Sequence, residues 1–232
     1  LGQMYMFGSG GVKKDFEQAK EYLSRAAALG LSGAQCNLGK LYAGAMGTRP
    51  EYKKAKFWFE KAAEQGDEAA EANLGSMYYH GDGVEQNFPL AAEWWIKAAK
   101  QGNAGAQTNL AGMYAQGQGV EKNFTQARLW YEKAAAQDQP NAENSLGAMA
   151  LHGQAQTPSW RRARKHFQRA IDLGHSFAWG PSPDHRLPIS APMADRVKSS
   201  FLIILFLSFR FQICFRMVLR HQLTFGCFIG ES

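Results

Sequence analysis

A chain of 232 residues with 45% hydrophobic and 12% aromatic side chains holds enough apolar material for a real core, which excludes disorder throughout. Its net charge of +6 is a mild excess rather than the dense basic face of a nucleic-acid binder, so no nucleic-acid partner is expected. Three cysteines, Cys36, Cys214 and Cys227, form neither a close pair nor a zinc spacing, which argues against a disulfide framework and against any metal or cofactor site.

The first unit of the chain runs from Leu1-Gly2 and Tyr5 through the loop Gly8-Ser9-Gly10-Gly11-Val12 to Asp15-Phe16 and a stretch closed by Gly30. Everything up to about residue 180 restates it every 36 residues. Aromatics stand at Phe16, Tyr52, Phe88, Phe124 and Trp160, and alanines at Ala19, Ala55, Ala91, Ala127 and Ala163 and again at Ala26, Ala62, Ala98, Ala134 and Ala170. Leu38, Leu74, Leu110 and Leu146 keep the same step, with Leu1 one residue early because the first loop carries an extra residue. Such a step marks a repeat architecture, and five units share one frame.

Each unit reads as two helices. In the fourth, Ala106, Leu110, Met113 and Tyr114 fall on one face of a 3.6-residue helix, while Phe124, Ala127, Trp130 or Tyr131, and Ala134 mark a second. Asp15, Asn87 and Asn123 precede the second helix as N-caps, and Gly30, Gly66, Gly102 and Gly174 follow its end. Arg25, Lys61, Lys97, Lys133 and Arg169 lie in its last turns, where they complement the negative helix end. Gly after Leu in the first helix, and Ala at two turns of the second, let helices approach closely while Trp and Tyr fill the gaps.

Some letters invite a chemical reading. Met77 to Phe88 place His80 and Asp82 among glycines, as a phosphate or catalytic loop would. Equivalent turns read Gly8-Ser9-Gly10, Gly117-Gln118-Gly119 and Gly153-Gln154-Ala155, so the middle residue is arbitrary, and the strand and lysine-serine of a phosphate loop are missing. Turn glycines at φ > 0 are therefore expected, with Val12, Val84 and Val120 tucked into the core. His80 and His152 stand two repeats apart, too far for a shared metal, and Cys36 has no aligned histidine to activate it. Asn123-Phe124-Thr125 is a glycosylation sequon whose Asn123 is also the expected N-cap. The run from Trp160 to Arg169 sets Arg161, Lys165 and Arg169 on one helical stripe, readable as a basic patch for an acidic partner or phospholipid, or as a solvated helix face.

The pattern Leu-Gly-x-Met-Tyr-x-x-Gly-x-Gly-Val, followed by a capped Lys-Ala-x-x-Trp-Tyr-x-Lys-Ala-Ala-x-x-Gly, resembles the Sel1-like repeat family, and residues 110 to 136 carry nearly all of it. Tetratricopeptide repeats are related but have a usual period of about 34 and lack the Gly-x-Gly-Val loop. Departures are Ala45 for the first loop glycine, Thr48 for its valine, Asp138 for the closing glycine and much of the fifth unit, where Ala150 breaks the tyrosine series. The expected fold is all-α, a right-handed α-solenoid of five stacked antiparallel helix pairs over residues 1–180, with units near 1–37, 38–73, 74–109, 110–145 and 146–180.

Composition changes after Gly180, since all six Trp and all eight Tyr precede it. Residues 181–200 read as a disordered, proline-containing linker. Residues 201–232 read as an apolar, basic tail that is either non-native sequence or interfacial. Its apolar stretch, eleven residues long between Lys198 and Arg210, falls short of the roughly 20 a membrane span needs, so membrane contact through it is not favoured.

A non-catalytic scaffold follows from the fold, with other proteins or peptides as partners held in a groove lined mainly by first-helix side chains. The candidate contacts are Lys40, Ser76, Tyr79, His80, Gln107 and Gln116, with Tyr79 as the anchor. Alternatives are a secreted hydrolase of the β-lactamase-like type, since the resemblance extends to such proteins, or a membrane-attached adaptor. Members of the family serve as adaptors in endoplasmic-reticulum-associated degradation and signalling, and the cytoplasm is favoured over the endoplasmic reticulum.

Overall fold

The computed structural model describes residues 1–44, 47 and 49–175. The expected linker and tail, and the departures Ala45 and Thr48, lie outside the described residues. Ten helices follow one another and no strand occurs among the described residues: α1 (Gly2–Phe7), α2 (Phe16–Ala28), α3 (Ser32–Tyr42), α4 (Tyr52–Ala63), α5 (Glu68–His80), α6 (Phe88–Lys100), α7 (Ala104–Gln116), α8 (Phe124–Ala135), α9 (Pro140–His152) and α10 (Trp160–Asp172). Odd-numbered helices are the first of each pair and even-numbered helices the second. Each packs on its neighbours in sequence, and α3, α5 and α7 also touch one another in turn. The described residues form an α-solenoid with the first helices gathered on one side.

The helix ends explain why the frame is so regular. Asp15, Asn87 and Asn123 accept the backbone N–H of Gln18, Leu90 and Gln126, as expected of N-caps, and Ser159 does the same for Arg162. Asp67 and Asn103 cap first helices in the same way, which the sequence reading did not single out. A second device recurs in every unit: the N–H of Asp15, Glu51, Asn87, Asn123 and Ser159 donates to the carbonyl of Tyr5, Tyr42, Tyr78, Tyr114 and Ala150. Each turn is thus clamped by its own backbone, independently of the residue at its tip.

Positive φ recurs at three places in a unit, the end of the first helix, the tip of the turn and just past the second helix, and sequence mostly supplies glycine there. Gly8, Gly81, Gly117 and Gly153 end the first helix in the left-handed region. Two non-glycine residues adopt the same region, Asp138 at φ 57° and Ala155 at φ 61°, where the frame otherwise places glycine. At the tip of the turn a second pressure is added to positive φ. Any Cβ on Gly83 would collide with Tyr52, and one on Gly119 with the backbone of Phe88, because each turn rests on the first residues of the preceding second helix. Val84 and Val120 are half-buried against the preceding unit's cluster and fasten that contact.

In three of the five pairs an aromatic of the second helix enters a glycine notch on the first, while Leu23 takes that place against Gly2 in the first pair and Tyr131 stands in the same frame in the fourth, where Ala111 replaces the glycine. A Cβ on Gly39 would lie 2.7 Å from the Phe59 ring, on Gly75 2.5 Å from Trp95, and on Gly147 2.5 Å from Phe167. Phe59, Trp95, Tyr131 and Phe167 are all buried and stand 36 residues apart. Ala55, Ala91, Ala127 and Ala163 are fully buried, allowing the close helix approach that the alanine series predicts. Four larger clusters and a smaller terminal one result, each shared between adjacent helices, which is the nearest-neighbour packing of a solenoid.

Candidate functional site

The first helices present two kinds of polar row, one buried and one open. The buried row is Gln35, Glu71, Gln107 and Glu143, spaced by 36 residues and between 3% and 6% exposed. Gln65, Gln101 and Gln137, each just past the end of a second helix, reach back to it: Gln65 Nε2 donates to Gln35 Oε1 at 2.8 Å, Gln101 Nε2 to Glu71 Oε2 at 2.8 Å, and Gln137 Nε2 to Gln107 Oε1 at 2.9 Å. Gln35 and Gln107 each donate onward to a carbonyl of the preceding helix, Ala27 and Ala99. A buried polar group is tolerated when its bonds are made, and this ladder makes them.

Gln107 therefore leaves the set of candidate contacts. It is 4% exposed and both ends of its amide are used within the fold. The signal for this was present as a 36-residue spacing of Gln and Glu, but polar letters on a helix read as surface unless their partners are known.

Glu71 and Glu143 differ from the glutamines in bearing a carboxyl group in place of an amide. Burial pushes the Glu71 carboxyl up, opposed by the bond from Gln101 and by the nearby Lys97. Glu143 has Leu173 where the ladder would place glutamine, and is met instead by Arg169, whose Nε lies 2.9 Å from Oε1, and by His166, whose Nδ1 lies 2.7 Å from Oε2. Arg169 also contacts Asp138 at 3.1 Å. Arg169 thus holds the last described pair together, and the basic stripe is reduced to Arg161 and Lys165, both exposed.

Tyr79 is also committed to the fold. Its hydroxyl bonds Gln118 Oε1 at 3.0 Å, and its ring meets Phe88, Trp95 and His80 at centroid separations of 5.3, 5.2 and 5.0 Å. This aromatic cluster fastens the tip of the next turn to α5 and α6, so Tyr79 is a packing residue and not the free anchor the sequence suggested. Of the remaining candidates, His80 and Gln116 are exposed, Lys40 is half-buried, and Ser76 is half-buried with its hydroxyl donated to the Ala72 carbonyl.

An open row that sequence reasoning passed over lies alongside them. Asn109 is exposed, Asn73 and Ser145 are half-buried and donate to the Ala69 and Asn141 carbonyls, and Asn37, at the equivalent position of α3, is buried. The 36-residue spacing was legible; its place on the open side of the first helices was not. The row mixes donors and acceptors with small neighbours such as Gly112 and Ala148, and no group on it is poised for chemistry.

Cys36 is 3% exposed, and burial pushes its thiol up to about 12, so the thiolate a nucleophile needs is scarce at neutral pH. Among the described residues no group of three or more His, Cys, Asp or Glu could hold a metal ion, and no helix is long and apolar enough to cross a membrane.

Stacked helix pairs with a glycine-bearing turn define an α-solenoid repeat protein. The sequence model of the Sel1 repeat matches five consecutive times, over residues 1–31, 32–67, 68–103, 104–139 and 140–175, and the chain belongs to the Sel1 repeat family. Among solved structures it resembles a protective antigen of uropathogenic Escherichia coli displaying this fold, with 35% identity and TM-score 0.68 over 75% of this chain and 37% of that one. It likewise resembles a Sel1 repeat protein from Oxalobacter formigenes, with 32% identity and TM-score 0.68 over 75% of this chain and 70% of that one. A Sel1 repeat protein from Klebsiella pneumoniae, at 23% identity and TM-score 0.52, shares the fold over 67% of this chain and 74% of that one. No curated protein shows significant overall similarity to the sequence.

Proposed function

We propose that the chain is a non-enzymatic interaction scaffold that holds a peptide or a segment of a partner protein along the open side of its first helices. The observation that carries this reading is the contrast within α3, α5, α7 and α9. Positions serving the frame are buried and repeated, whereas those facing outward change from unit to unit: Lys40, Ser76, Gly112 and Ala148 in one row, and His80, Gln116 and His152 in another. Residues free of packing duty that differ from repeat to repeat are where a repeat protein can encode a partner. Small side chains at Gly112 and Ala148 leave room for a ligand backbone, and the exposed Asn109 amide offers it hydrogen bonds.

The test is selection of binders to the full chain from a random peptide library, followed by photo-crosslinking of a selected peptide. A photoreactive residue at position 116, on a first helix, is expected to crosslink, and one at exposed position 133, on a second helix, is not. Crosslinking from 133 alone would place binding on the opposite side and end this reading. Turnover of nitrocefin that is lost on a first-helix substitution would replace it with a hydrolase.

A further inference from the structure

The last described helix differs from the other second helices in how its charge is used. In α2, α4 and α8, cations pair with acids one turn away, Arg25 with Glu21, Lys56 with Glu60 and Arg128 with Glu132. In α10 there are six basic letters, Arg161, Arg162, Arg164, Lys165, His166 and Arg169, against one acid, Asp172. Half of these side chains are spent. Arg162 donates to the Thr157 carbonyl, and His166 and Arg169 serve Glu143.

Arg161, Arg164 and Lys165 remain exposed and make no ion pair among the described residues. Their spacing of i, i+3 and i+4 puts them on one face, opposite the buried Ala163, Phe167 and Ala170. Trp160 lies in the same turn and is 46% exposed. Asp172 sits at the far end of the helix and is bonded by Gln168, so it does not neutralise the cluster.

We propose that Trp160, Arg161, Arg164 and Lys165 form an adhesion face for an anionic lipid surface. A membrane presents negative charge as a plane, which three cations on one rigid helix face can meet together, and an indole partitions to the headgroup level. An acidic peptide would instead need a groove to orient its carboxylates, and these side chains stand out from the helix without one. The sequence beyond the described residues keeps the same sign, with six Lys/Arg against three Asp/Glu in residues 181–232 and the apolar run Phe201–Leu207. Lasting attachment takes two signals, and this face supplies the electrostatic one.

Each basic residue at an anionic surface is worth about fivefold in partition, so three give on the order of 100-fold at low salt. The test is sedimentation of the full chain with vesicles of phosphatidylcholine alone or with about one third phosphatidylserine, read as the ratio of the two partition coefficients. Arg161→Gln/Arg164→Gln/Lys165→Gln is expected to lower that ratio on the order of 100-fold. The equal charge change Lys13→Gln/Lys53→Gln/Lys100→Gln, at exposed positions elsewhere, is expected to lower it less than about fivefold, since scattered cations cannot reach one surface together. The unsubstituted chain should lose its preference for anionic vesicles as salt rises.

Equal losses in the two triple variants, or a preference for anionic vesicles that is indifferent to salt, would overturn the proposal. So would binding of a poly-glutamate peptide that requires the three cations while vesicle binding does not, which would make the partner an acidic protein.

Discussion

The notch packing makes opposite predictions for one chemical change at two glycines. Replacing a helical glycine by alanine removes an entropic cost of about 0.5–1 kcal/mol. At Gly33, in the first turn of α3, nothing lies within 4 Å of the added methyl, so Gly33→Ala is expected to stabilise by about that amount. At Gly75 the methyl would stand 2.5 Å from Trp95 Cδ1 and 2.6 Å from Nε1, about 1 Å inside normal contact. Trp95 is 3% exposed and its Nε1 donates to the Ala72 carbonyl at 3.1 Å, so retreat both disturbs the core and strains that bond. Overpacking costs about 1–3 kcal/mol and a weakened hydrogen bond about 0.5–1.5. After the entropic gain, Gly75→Ala is left destabilising by roughly 1–3 kcal/mol. Thermal melts followed by circular dichroism should move Tm up for Gly33→Ala and down for Gly75→Ala, with the change at Gly75 seen also in tryptophan fluorescence. Equal stabilisation by both substitutions would refute the claim that the aromatic demands the glycine.

Three further outcomes follow from single residues. Glu71→Gln restores the letter found at Gln35 and Gln107 and removes a carboxylate whose pKa burial raises; since the charged form is the disfavoured one, the variant should be more stable than the parent at neutral pH, with the gain fading as pH falls through the Glu71 pKa and the parent carboxyl protonates. Urea titrations at pH 7 and pH 4 check the sign. Ala155→Gly should stabilise by about 0.5–1 kcal/mol, because a left-handed alanine costs about 1–2 kcal/mol and the looser unfolded chain returns part of it; a loss of stability would show that the fifth turn needs its side chain. Cys36, with its thiol near 12, should be alkylated by iodoacetamide at least about 100-fold more slowly in the native chain than in urea, measured by mass spectrometry of its own peptide.

Much of this architecture was legible because its determinants are local and repeated. Asn87 before Phe88, and glycine at a fixed step, each specify a helix end within a few residues. Five copies turned those weak signals into a frame and showed Asp82 to be an arbitrary turn residue. Long-range commitments were hidden. Gln107 faces inward only because Gln137, 30 residues later, meets it, and Tyr79 is spent only because Gln118 accepts its hydroxyl from the following turn. Arg169 looked like its stripe mates Arg161 and Lys165 until Glu143 and Asp138 were seen to hold it. In each case the sequence position was right and the direction of the side chain was set by a partner from another helix or turn.

The central claim is that the outward residues of the first helices read a partner. The most direct measurement is the affinity of a library-selected peptide, by calorimetry, for the full chain and for Lys40→Glu/His80→Ala/Gln116→Ala, three positions free of the polar ladder and the glycine notches. A loss of at least about tenfold, or roughly 1.4 kcal/mol, with an unchanged melt is the predicted result. Affinity that survives all three substitutions, while falling on substitution of exposed second-helix residues such as Leu129 or Lys133, would contradict the account.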